Sequence, residues 1–110
     1  MPIDVIELID VQRRNTEDVV DYVFRVSDGN SYRDVPVGIP GQAINPVGQK
    51  PRTKEILRKV AEEWLRHHLN DKWFDPFKQS LSRLPDVPSA VVDHWIHHNG
   101  ELPPRLYPSR

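Results

Sequence analysis

The chain has 110 residues, no cysteine, 15 Lys and Arg against 16 Asp and Glu, and a formal net charge of −1. That excludes disulfides, thiolate metal sites and cysteine nucleophiles, and it leaves no global charge excess of the kind that marks nucleic-acid binders. The opening MPIDVIELID has no basic segment and no long apolar run, so it does not read as a signal peptide.

No apolar stretch reaches the roughly 18 residues of a membrane span. A cytoplasmic, membrane-free protein without a cofactor is the expectation. Eleven prolines punctuate the chain, gathered at 36–51, 76–88 and 103–108. The length suits one α+β domain over residues 1–101 with a proline-rich tail at 102–110.

The first forty residues read as three strands at about 3–11, 19–27 and 31–39. In the first, Ile3, Val5, Ile9 and Val11 share one parity while Ile6 and Leu8 share the other. Apolar residues on both faces predict a strand covered on both sides. In the second, Val20, Tyr22, Phe24 and Val26 make one face and Asp21 and Arg25 mark the other. In the third, Val35, Val37 and Ile39 align.

SDGN joins the last two strands as a hairpin turn. Taking Gly29 and Asn30 as the central pair sets Phe24 opposite Val35, Tyr22 opposite Val37 and Val20 opposite Ile39. It also sets Arg25 against Asp34 across the strands. With Asp28 and Gly29 central, Phe24 would meet Arg33, so the first register is preferred. Pro36 has no N–H for a ladder, which makes the third strand an edge. A three-stranded antiparallel meander in the order 1-2-3 follows.

Residues 40–52 read as a surface linker. A long helix at about 53–69 follows, with Thr53 as N-cap. Its apolar face carries Ile56, Leu57, Val60, Ala61, Trp64 and Leu65. That face is expected on the Tyr22 and Phe24 side of the sheet. Shorter helices are expected at about 76–84, with Asp75 as N-cap, and at about 88–98, with Pro88 at the first helical position and Gly100 as the stop. Val91, Val92, Trp95 and Ile96 form the buried side of the last helix.

No motif is diagnostic of a reaction or a ligand. DHWIHHNGE places His94 and His98 four residues apart on one helix. Such a pair can share a metal ion, but a zinc site takes about three or four ligands. His67-His68 and His97-His98 each precede an Asn at a helix end, where an imidazolium meets the negative end of the dipole. Helix capping and packing are therefore favoured over metal binding. Glu62 and Glu63 are adjacent and do not face each other on a helix, so they make no catalytic pair.

The reading leans away from an enzyme. The favoured function is a small, soluble, non-catalytic binding protein whose partner is another protein or a second copy. The expected contacts are Tyr32, Val35 and Val37 on the third strand and Arg105 and Tyr107 in the tail. The alternative is nucleic-acid binding through Arg13, Arg14, Arg25 and Arg33 on the sheet with Lys50 and Arg52 before the long helix. Metal-dependent activity at His94 and His98 ranks third.

Overall fold

The computed structural model describes residues 3–70, 74–78 and 84–104. Strands β1 (Asp4–Arg13), β2 (Val19–Ser27) and β3 (Tyr32–Pro40) form an antiparallel sheet in the order β1-β2-β3. Among the described residues three helices follow: α1 (Gly41–Ile44), α2 (Lys54–Asn70) and α3 (Ser89–His97). The fold is α+β. No helix among the described residues is long and apolar enough to cross a membrane.

The β2–β3 hairpin has the register that side-chain pairing favours. Phe24 faces Val35, Tyr22 faces Val37, Val20 faces Ile39 and Arg25 faces Asp34. Gly29 takes the positive φ, at 97°, as the first central position of a II′ turn demands. The Asp28 carboxylate accepts the backbone N–H groups of Asn30 and Ser31 at 2.9 and 2.8 Å. Those two bonds hold its pKa below the ordinary aspartate range.

β1 departs from strict alternation. Two register shifts, between Val5 and Glu7 and between Leu8 and Asp10, each insert an extra residue. Each bulge sets two residues opposite one, so the residues paired with the inward side chains of β2 become Val5, Leu8 and Val11, spaced by three instead of two; Val5 and Leu8 pack on the core, while Val11 is 41% exposed. Ile6 and Ile9 are the extra residues. Ile6 is 53% exposed, so β1 is not covered on both sides as its apolar content suggested.

Thr53 Oγ1 accepts the N–H of Ile56 at 3.3 Å and starts α2. Leu57, Val60, Ala61, Trp64 and Leu65 are buried on its inner side, in one core with Tyr22, Phe24, Val26, Val35, Val37 and Ile39. Below them His68 is fully buried, its Nδ1 2.7 Å from the Trp64 carbonyl and its ring against the Trp64 indole at 4.4 Å.

The stretch expected as plain linker contains α1. Ala43 of α1 is buried, and Arg52 ties the region together. Its N–H reaches the Ile44 carbonyl at 2.9 Å, and its guanidinium reaches the Ala43 carbonyl at 3.2 Å and Asp93 at 2.6 Å.

Of the helix expected at 76–84, residues 76–78 form a turn, with Asp75 accepting the N–H of Phe77 at 2.9 Å; residues 79–83 lie outside the described ones. Pro88 is the N-cap of α3 rather than its first helical residue. Val91 and Val92 are buried, whereas Trp95 and Ile96 are only partly so. α3 ends at HHNG: Asn99 and Gly100 have φ of 53° and 86°, and the Gly100 N–H bonds back to the Trp95 carbonyl at 2.9 Å.

Candidate functional site

One face of the sheet carries α2; among the described residues no helix covers the other, the open face. Alternation from the β2 residues Asp21, Val23, Arg25 and Ser27 defines the open face. Across it the register forms rows: Asp4, Ser27 and Tyr32; then Glu7, Arg25 and Asp34; then Asp10, Val23 and Pro36; then Gln12, Asp21 and Gly38. The two bulges add Ile6 and Ile9 to this face. Neither belongs to the hydrophobic core, and neither does Val23. Tyr32, at the hairpin end, is 63% exposed.

Charge on this face is ordered. Arg25 bridges the second row, 3.8 Å from Glu7 on one side and 3.5 Å from Asp34 on the other. At the far corner, Arg14 lies over Gly38. Its guanidinium bonds Asp21 at 2.7 Å, Asp86 at 2.7 Å and Glu17 at 2.9 Å. The Asp21 contact, and then that of Asp86, raise the Arg14 pKa above its ordinary value and hold the charge in place. A Cβ at position 38 would collide with the side-chain ends of both Arg14 and Asp86, which would have to shift to admit it. Among the described residues the carboxylates on and around this face outnumber the guanidiniums seven to two, and both guanidiniums are already paired.

The free edge of β3 is narrower than the sequence implied. The Val87 N–H donates to the Gly38 carbonyl at 2.8 Å, so the outward-pointing backbone groups of β3 lie at even-numbered positions. Pro36 and Pro40 fall on that parity and offer no N–H. Residues 84–88 thus run along the C-terminal half of the edge, with the Pro85 carbonyl accepting the Trp64 indole N–H at 2.9 Å. The bulges disrupt the opposite edge, on β1.

The structure sorts the residues singled out from sequence. Tyr32 lies on the open face. Val35 and Val37 point into the core, so they would meet a partner only through backbone atoms. Arg105 and Tyr107 lie outside the described residues.

The arginines expected to line one surface are divided. Arg14 and Arg25 are on the open face within ion pairs. Arg13 and Arg33 have the parity of the helix-bearing face, at opposite ends of the sheet, and Arg33 sits 5.7 Å from the Phe77 ring. Arg52, with a side chain only 8% exposed, is a structural tie, and Lys50 is exposed. No shared basic surface results from these six.

His94 and His98 stack face to face, ring centroids 3.8 Å apart and planes within 8°. Parallel stacked rings aim their nitrogen lone pairs side by side rather than at one point. His98 Nδ1 is also 2.9 Å from the His94 carbonyl, and His97 Nδ1 is 2.8 Å from that of Asp93. Among the described residues no group of three or more potential ligands is placed to hold a metal ion.

Sequence reasoning missed Ile6, Ile9 and Asp10 as surface candidates. The available signal was the three-residue spacing of Val5, Leu8 and Val11, which fits neither a regular strand nor a helix. No family model, curated protein or solved structure matches this chain.

Proposed function

We propose that this chain is a non-catalytic binding protein that engages another protein through the open face of its sheet. The observation that carries this reading is the exposure of Ile6 and Tyr32, at 53% and 63%, on a face over which no helix of the described residues lies. Single exposed apolar residues are ordinary. Here they share one sheet face with partly buried Val23 and Pro36, which is the make-up of an interface core within a polar rim.

The edge-strand version of the reading is less favoured. Pro36, Pro40 and the 84–88 segment leave few backbone groups for an added strand. Tyr32 remains a leading contact, and the tail, through Arg105 and Tyr107, is a proposed accessory one.

The test is affinity capture with and without nuclease, using the wild type and an Ile6→Asp/Tyr32→Asp variant, with light scattering on the eluate. A protein that survives nuclease and is lost with the variant, at unchanged melting temperature, supports the reading. Recovery of nuclease-sensitive nucleic acid would overturn it.

A further inference from the structure

We propose that the open sheet face takes a cationic protein segment, one in which Lys or Arg residues alternate with apolar ones. The inference rests on the binding reading above and names the partner's chemistry.

The sign of its charge decides which partners this face can take. Among the described residues, Asp4, Glu7, Asp10 and Asp34 stand on this face with Arg25 as their nearby cation, and Arg25 is already held between Glu7 and Asp34. The Arg14 corner adds further negative charge, since one guanidinium there meets three carboxylates. An approaching phosphate backbone or anionic lipid surface meets like charge. A second copy docking by the same face fares no better, because a two-fold contact sets this acidic patch against the same acidic patch of its partner.

A cationic segment meets the opposite condition. Its charges pair with carboxylates whose own cations are too few, and the field steers it to the surface. The apolar residues settle the second half of the proposal. Ile6 and Val23 offer area for an aliphatic side chain. The exposed Tyr32 ring, two residues from Asp34 on the same strand, offers a seat where a guanidinium can stack while its charge is neutralised. A simple polycation would use the carboxylates and leave that area bare.

The probe is a synthetic amphipathic peptide of Lys, Arg and Leu, titrated into isotope-labelled protein and followed by amide chemical shifts. A matched peptide with Glu in place of the basic residues, and a short DNA duplex, serve as comparisons. Shifts should centre on Ile6, Asp10, Val23, Tyr32 and Asp34. Affinity should fall as salt is raised. An Asp10→Lys/Asp34→Lys variant should bind about tenfold more weakly or worse. Glu55→Lys, the same change on α2, should bind as the wild type does.

Shifts centred on α2 or α3, equal binding of the Glu peptide, or duplex binding at the sheet would overturn the proposal, as would self-association blocked by Tyr32→Asp. If the capture experiment yields a partner that depends on Ile6 and Tyr32 while the basic peptide fails to bind, the binding face stands and the cationic assignment falls. If both fail, both readings fall.

Discussion

The backbone N–H of Val87 donates to the carbonyl of Gly38 at 2.8 Å, joining two residues far apart in sequence at the margin of the sheet. This bond makes residues 84–88 a cover for β3, so the open surface of the sheet is its face and not its edge. Val87→Pro removes the donor while keeping a small apolar ring at a buried position. Chemical denaturation should show a loss of about 1–2 kcal/mol. Amide exchange should quicken at the C-terminal half of β3.

Arg14 links the same margin to β2 through Asp21 and Asp86. Its side chain and that of Asp21 are only 14% and 12% exposed, so the pair is largely shielded from water. Arg14→Met keeps the aliphatic stem but removes the guanidinium from beside Asp21. The expected cost is about 2–4 kcal/mol, read as a shift of the urea midpoint. Asp86→Asn, at the more exposed partner, should cost about 1 kcal/mol or less. Equal losses for the two variants would mean that the corner is not organised around the Arg14–Asp21 pair.

Trp64 joins α2 to the cover segment by its indole N–H, 2.9 Å from the Pro85 carbonyl. Trp64→Phe keeps much of the buried ring and deletes the donor, so about 1–2 kcal/mol should be lost. The same variant should alter the chemical shifts of Asp86 and Val87 more than those of the hairpin. Trp64→Ala, which also opens a cavity, should cost about 3–5 kcal/mol.

Asp28 makes the hairpin sensitive to acid. Its pKa is lowered because the carboxylate accepts two backbone N–H groups, so the folded value lies below the ordinary one of about 3.9. The sign follows from linkage. The contribution to stability is fully present above the ordinary value and is lost as pH falls through the depressed folded value. Carboxyl NMR should show Asp28 titrating below about 3.9, with the Asn30 and Ser31 amides moving in step. Asp28→Ala should abolish that response, whereas Asp28→Asn, which keeps an acceptor oxygen, should retain most of the turn.

Local chemistry determined a good part of this protein before any folding was considered. Alternation set the inward face of β2. Opposing Phe24 to Val35 rather than to Arg33 fixed the hairpin register, since a slip would set a charged side chain against the core ring. The 3.6-residue period of α2 fixed its buried side, and HHNG ended α3. These features rest on neighbours within a few residues, which sequence displays directly.

The tertiary structure alone decided the rest. The bulges that turn Ile6 and Ile9 outward depend on how β1 meets β2 and the core, and nothing within β1 dictates the shift. The placement of Arg13 on the helix-bearing face follows from that register, opposite Val20. Arg14 and Asp86 are 72 residues apart in sequence, and their contact passes over Gly38, where no side chain stands in its way. The position of residues 84–88 depends equally on Trp64 and Gly38, which chain folding brings together from distant segments. The acidic open face is the product of these long-range choices, each made by packing rather than by propensity.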